Sequence, residues 1–243
     1  MKMNPKFAVG MKIVTVSMLM ASSFMASAQD NPPIDHGVSS SSEALTGKPL
    51  SAVSVTKNTE AVERLRTHLK TINTYSSGFT QMTYEEDGYL LDETSGTMAF
   101  AKPGKLRWIA TEPFSQTLIA DGEKIFLFDP DLNQVTVRPW SDDPRLNPAV
   151  LFVSGDDLTE AFSVLSESTG EVELFQLRPH EEGGAIRQLD VQFEGGLPQQ
   201  MTIHDSLGQK TEIVFTDGSI NQEMPQGHFT FSVPESAEVI WDG

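Results

Sequence analysis

The chain has 243 residues, 17 Lys and Arg against 34 Asp and Glu, and no Cys. A formal charge of −17 argues against nucleic acid and anionic lipid surfaces as direct partners, because both are bound through basic patches. A chain without Cys forms no disulfide and does no thiolate chemistry.

At the N-terminus Lys2, Lys6 and Lys12 precede an apolar, Met-rich stretch from Ile13 to Met25, with no acidic residue before Asp30. Ala26-Ser27-Ala28 closes it with the small-x-small pattern that signal peptidase accepts. The apolar run of about a dozen residues falls short of the roughly 20 needed to span a bilayer as a helix. Residues 1–28 therefore read as an export signal. No Cys follows the cleavage site to receive a lipid, so the mature protein is expected to be released unanchored, into the periplasm or the medium.

Residues 29–57 read as a polar tether. Asn31-Pro32-Pro33 and Ser39 to Ser42 offer little apolar burial to offset the entropy of ordering them. Asn58 is placed to cap a helix of about four turns over residues 58–73. In it Val62, Leu65, Leu69 and Ile72 form the apolar stripe, and Glu63, Arg64, Arg66 and Lys70 face away.

From Tyr75 the pattern turns to antiparallel strands. Leu189, Val191 and Phe193 alternate with polar neighbours, as do Val135 and Val137, Met201 and Ile203, and the run Thr211 to Phe215. Turn signals separate the strands at Asp87-Gly88, Asp121-Gly122, Asp129-Pro130-Asp131, Gly195-Gly196, Ser206-Leu207-Gly208 and Asp217-Gly218. The expected fold is mainly β (α+β): about ten strands curled into a barrel or half-barrel, with about three helices against it. The second and third helices are placed near 148–153 and 156–162. Ile125-Phe126-Leu127-Phe128 puts large apolar groups on both faces, and the segments 98–100 and 108–109 do the same. Two readings stand open: a plain core with the other face under a helix, or a concave face lining an apolar cavity.

Catalytic patterns are missing. His36, His68, His180, His204 and His228 make no H-x-x-x-H pair, and neither a G-x-S-x-G elbow nor a P-loop occurs. His204-Asp205 reads as a turn pair. Asp129, Asp131 and Asn133 lack the glycine and terminal glutamate of a calcium loop. Neither an enzyme activity nor a cofactor is expected.

Several short motifs, in order, resemble the outer-membrane lipoprotein carrier (LolA) family. They are the segment 75–81 (YSSGFTQ), 95–100 (SGTMAF), 102–108 (KPGKLRW), Asp121-Gly122, 128–132 (FDPDL) with 134–137 (QVTV), 147–151 (NPAVL), 205–209 (DSLGQ) and 229–234 (FTFSVP). The resemblance covers residues 58–243. It implies an unclosed β-barrel whose apolar concave face is lidded by helices. It also implies a monomeric periplasmic chaperone that binds acylated lipoproteins released by an ATP-driven inner-membrane transporter and delivers them to an outer-membrane receptor. That receptor has a similar fold but is a lipoprotein, so the missing Cys favours the carrier. The other reading is a periplasmic sensor domain of related fold.

On this resemblance the acyl-binding wall is expected at Phe79, Met98, Phe100, Leu106, Trp108 and Leu118, under the helix of residues 58–73. Leu106 is expected at the cavity's mouth, where Leu106→Glu would impair loading and spare folding. Lys102 stands where the family commonly has an Arg that ties the lid to the sheet. It is expected to act as a latch onto carbonyls near Leu65 or Leu69 and around Leu151. In the family the matching loss of charge allows uptake and hinders release.

Overall fold

The computed structural model describes residues 54–57, 59–141, 143, 149–154, 158–181 and 183–242. The expected export signal, most of the expected tether and the Asn58 cap lie outside them. In chain order the elements are β1 (Ser54–Lys57), α1 (Thr59–Thr71), β2 (Thr74–Tyr84), β3 (Leu90–Ala101), β4 (Lys105–Glu112), β5 (Gln116–Asp121), β6 (Lys124–Asp129) and β7 (Gln134–Pro139). There follow α2 (Val150–Val153), a 3₁₀ turn (Leu158–Ala161), β8 (Phe162–Thr169), β9 (Val172–Pro179), β10 (Ile186–Glu194), β11 (Leu197–Asp205), β12 (Lys210–Ile220) and β13 (Glu238–Trp241).

Among the described residues thirteen strands make one sheet, in the order β1-β8-β9-β10-β11-β12-β2-β3-β4-β5-β6-β7-β13. Its two ends, β1 and β13, do not pair, so the sheet is unclosed. Two strands lie where the sequence offered no alternation. Ser54–Lys57, the last four residues of the expected tether, pair with β8, and Glu238–Trp241 pairs with β7 in parallel, the exception in an otherwise antiparallel sheet. Asp217-Gly218 is not a turn. It sits inside β12 as a bulge, where the register with β2 slips between Thr216 and Ser219 and Asp217 takes φ 53°. The extra residue is absorbed by bending one strand.

Hairpin connection places the turns alternately at two ends of the sheet. The β3–β4 turn at 102–104 and the β5–β6 turn at 122–123 share one end, with Gly104 packed on Gly122. The long hairpins at 85–89 and 206–209 share the other.

The inner face carries the main core. From α1 come Leu65, Leu69 and, just after it, Ile72; from the strands come Tyr75, Phe79, Phe100, Leu106, Trp108, Leu118, Phe175, Phe193 and Phe215. The outer face holds a second, smaller apolar layer. Ile119, Val135 and Val137 are buried there, and the Phe126 and Phe128 rings lie 5.5 and 6.0 Å from Phe231. This explains the strand that is apolar on both sides. Ile125 and Leu127 face the core, while Phe126 and Phe128 lie under the extended segment that leads from β12 to β13, not under a helix.

Gly96 shows how tightly β3 and β4 fit. A Cβ there would stand 1.9 Å from the Ile109 carbonyl oxygen and 3.0 Å from Ala110 Cα. Both are backbone atoms, so relief requires the strands to part. Gly96→Ala is expected to cost about 2–3 kcal/mol, the upper range for overpacking, read as a lower urea midpoint. An unchanged midpoint would mean that the pairing gives way freely.

Candidate functional site

The inner face is not a featureless core. Tyr75, Met98, Phe100, Leu106 and Trp108 from β2, β3 and β4 face Pro198, Met201, Ile203, Ile213 and Phe215 from β11 and β12 across an apolar pocket. Strands that far apart in the sheet share one pocket because the sheet curls. Ala149, Phe152 and Val153 close it from α2. Among the described residues the one polar side-chain group on this wall, the Tyr75 hydroxyl, donates to the Pro198 carbonyl at 3.0 Å. Burial pushes its pKa up, against a smaller lowering by Ser77. It therefore stays a neutral donor.

Four of the six expected wall residues, Met98, Phe100, Leu106 and Trp108, line this pocket. Phe79 and Leu118 are buried one layer back. Phe79 packs on Trp108 with ring centroids 3.8 Å apart, and Leu118 pairs with Trp108 across β4 and β5. Leu106 is 2% exposed, so it stands on the pocket's floor and not at a mouth. Its neighbours Phe100 and Ala120 are its register partners on β3 and β5. The void is small, about 30 Å³, room for one or two waters. Among the described residues this pocket is nearly filled.

The lids differ from the expectation. The pocket is covered by α2, while α1 lies alongside, over β8 to β10. Its Arg64 donates to Ser168 at 2.6 Å and to Ser166 at 3.3 Å, and sits 3.6 Å from Glu173. His68 pairs with Glu173 at 2.6 Å and stacks on Phe193 at 4.6 Å. These polar contacts pin α1 sideways. The sequence shows α1's apolar stripe but not which strands it meets.

One turn serves both lids. Lys102 Nζ donates to the Leu69 carbonyl at 2.5 Å, one of the last carbonyls of α1 and at the negative end of its dipole. Burial lowers the lysine's pKa. Two residues on, the Gly104 N–H donates to the Val153 carbonyl of α2 at 2.8 Å. Gly104 holds φ +67°, a conformation that a side chain would strain. Of the three expected acceptor regions, only Leu69 receives the ammonium. Leu65 lies a turn too far up the helix, and Leu151 belongs to α2, which the backbone of Gly104 holds instead.

Asn221 went unnoticed in the sequence. It adopts φ 57° just past β12. Its side chain donates to the Thr71 carbonyl at 2.8 Å and accepts from the Asn73 N–H at 2.8 Å, clasping the end of α1. An Asn suited to positive φ directly after a strand is the available signal, and it is a weak one.

The chain matches the family described as "Outer membrane lipoprotein carrier protein LolA" over residues 70–232. It is 37% identical over 186 residues to the outer-membrane lipoprotein carrier protein of Chromohalobacter salexigens, covering 76% of this chain and 89% of that one. It is also 37% identical over 195 residues to the protein of the same name from Pseudomonas putida, covering 79% and 93%. A crystal structure of a LolA superfamily protein from Nitrosomonas europaea aligns with 70% of this chain and 98% of that one, at 12% identity and a TM-score of 0.43. On the family match and the identity to these relatives, the chain belongs to the outer membrane lipoprotein carrier (LolA) family.

Proposed function

We propose that this protein is a periplasmic lipoprotein carrier. It takes acylated lipoproteins from an ATP-driven inner-membrane transporter, shields their acyl chains, and delivers them to an outer-membrane receptor. The observation that carries this reading is the inner pocket, whose wall is apolar apart from one satisfied hydroxyl, in a chain whose relatives bear the carrier's name. Met98, Phe100, Leu106 and Trp108 form the acyl-binding wall, backed by Phe79 and Leu118 packed against Trp108.

Burying each methylene stabilises the complex by about 0.8 kcal/mol. A void of about 30 Å³ holds no acyl chain, so loading must displace α2, four residues held at Gly104 by one backbone hydrogen bond. Closing and cargo therefore exclude each other. The 102–104 turn favours closing, through Gly104 on α2 and Lys102 on the end of α1, which lets the carrier give up its load without ATP.

The test is to incubate the mature protein with spheroplasts that carry a radiolabelled lipoprotein. Release of the label as a soluble one-to-one complex supports the carrier. Label that stays on the spheroplasts, with folded protein free in the supernatant, rejects it.

A further inference from the structure

The inner face changes character along the strands. Toward the lidded end it is apolar. One inward-facing position beyond Phe79 on β2 comes Gln81, and one before Leu118 on β5 comes Gln116, each about 7 Å away by strand rise. Thr94 stands opposite Gln81 on β3, and Thr211 lies on the neighbouring β12. All four are buried, between 0 and 8% exposed. A slanting band of polar side chains thus crosses the inner face at the edge of the apolar wall, with Gln116 level with Phe79 through Ala110 and Gly96, and Gln81 and Thr94 one inward position further.

Some of this band is satisfied. Thr94 donates to Asp92 at 3.0 Å, and Thr211 meets the Thr83 hydroxyl at 3.3 Å. Gln116 is not, because its side-chain oxygen is buried and has no hydrogen-bond partner among the described residues. An acceptor left in that state is costly, and buried polar atoms of this kind call for an explanation. A core position needing only to fill space next to Leu118 takes an apolar residue at less cost.

Resting on the carrier reading, we infer that this band is the subsite for the polar end of the cargo. Acyl chains have no donor to offer Gln116. The amide N–H groups at the acylated N-terminal cysteine, and of the residues that follow it, do. With the chains on the Phe100, Leu106 and Trp108 side of the boundary, the modified cysteine sits beside Gln116, and the residues that follow it pass Gln81 and Thr94. The polypeptide then leaves toward the hairpins at 85–89 and 206–209, away from the lid turn at 102–104. The orientation of the cargo is set by this boundary. A bare apolar pocket would leave it undetermined.

The experiment compares two probes on the full mature chain. One is a synthetic peptide whose N-terminal cysteine carries a diacylglyceryl thioether and an amide-linked fatty acid. The other is methyl palmitate, which is apolar and has no donor. Gln116→Leu is expected to weaken the lipopeptide about three- to tenfold, the loss of one neutral hydrogen bond, and to leave methyl palmitate unchanged or tighter. Thr94→Val serves as an independent variant, with the same expected split, should Gln116→Leu not fold. Equal effects on both probes, or none on the lipopeptide, overturn the subsite. If the parent protein binds neither probe, the carrier reading itself falls.

Discussion

Replacing Leu106 by glutamate is expected to destabilise the protein at neutral pH rather than spare its fold. The side chain is enclosed by Phe100, Ala120 and the rest of the pocket floor, at 2% exposure. The Tyr75 hydroxyl on that wall is already given to the Pro198 carbonyl, so the variant folds only if the new carboxyl is protonated. From a reference pKa near 4.3, holding the proton at pH 7 costs about 3.7 kcal/mol. Losing the leucine's burial adds about 1.5–3 kcal/mol. The folded state raises this pKa, so it binds the proton more tightly than the unfolded chain does. The protonation part of the penalty is therefore small below about pH 4.3 and grows as pH rises toward the folded value. Urea titrations at pH 4.5 and pH 7.5 check this, because the gap between variant and parent must widen at the higher pH. A variant as stable as the parent at both, but unable to load, would put Leu106 back at a mouth.

Lys102→Leu is expected to produce a carrier that fills and does not empty. The substitution leaves the Leu69 carbonyl with a long 3.4 Å contact from the Ile72 N–H. It removes a charge-assisted bond worth about 1.5–3 kcal/mol. Loading that lifts α2 is expected to shift the 102–104 turn, which holds α2 through Gly104 and α1 through Lys102, so that energy acts against the cargo. Without it, retention rises by a factor of about ten to a hundred. Asn221 still clasps Thr71 and Asn73, so α1 stays folded and the variant is soluble. Lys102→Arg keeps a cation on the same carbonyl and should deliver normally. Transfer from loaded carrier to receptor-bearing outer membranes, timed for both variants and the parent, is the measurement. Equal transfer by Lys102→Leu and the parent would reduce Lys102 to a helix cap.

Much of the fold was legible because burial imposes a period on the chain. Leu65, Leu69 and Ile72 recur at helical spacing and are buried. Leu189, Val191 and Phe193 alternate and point inward. Met98, Phe100, Leu106 and Trp108, which line the pocket, lie in segments apolar on both faces and within the family motifs. What escaped the reading depends on partners remote in sequence. Ser54–Lys57 and Glu238–Trp241 become strands because an open sheet edge offers them pairing, and neither segment alternates. Asp217-Gly218 has the composition of a turn, but continuous pairing on both flanks makes it a bulge. Which lid covers the pocket was equally hidden. α1 is long and amphipathic, yet Arg64 and His68 bind it to β8 and β9, and the four residues of α2 take the place over the cavity. The burial of Gln116 is invisible in sequence, since a glutamine in a strand says nothing about the face it occupies.

The strand order also sets a timetable for folding. β2 to β7 form one run of hairpins and β8 to β12 another, each built from neighbours in sequence. The two runs meet at a single seam, β12 against β2, where Thr211 and Thr83 lie 128 residues apart. Closing so long a loop is slow compared with zipping a hairpin. The pocket draws its walls from both sides of this seam, so it is among the last features to form. Until then Phe100, Leu106 and Trp108 on one run, and Met201, Ile213 and Phe215 on the other, stand bare. Intermediates with such surfaces aggregate readily. During that interval the protein has the same need as its proposed cargo, a shelter for apolar groups in water, and fast closure of the β12–β2 seam is what supplies it.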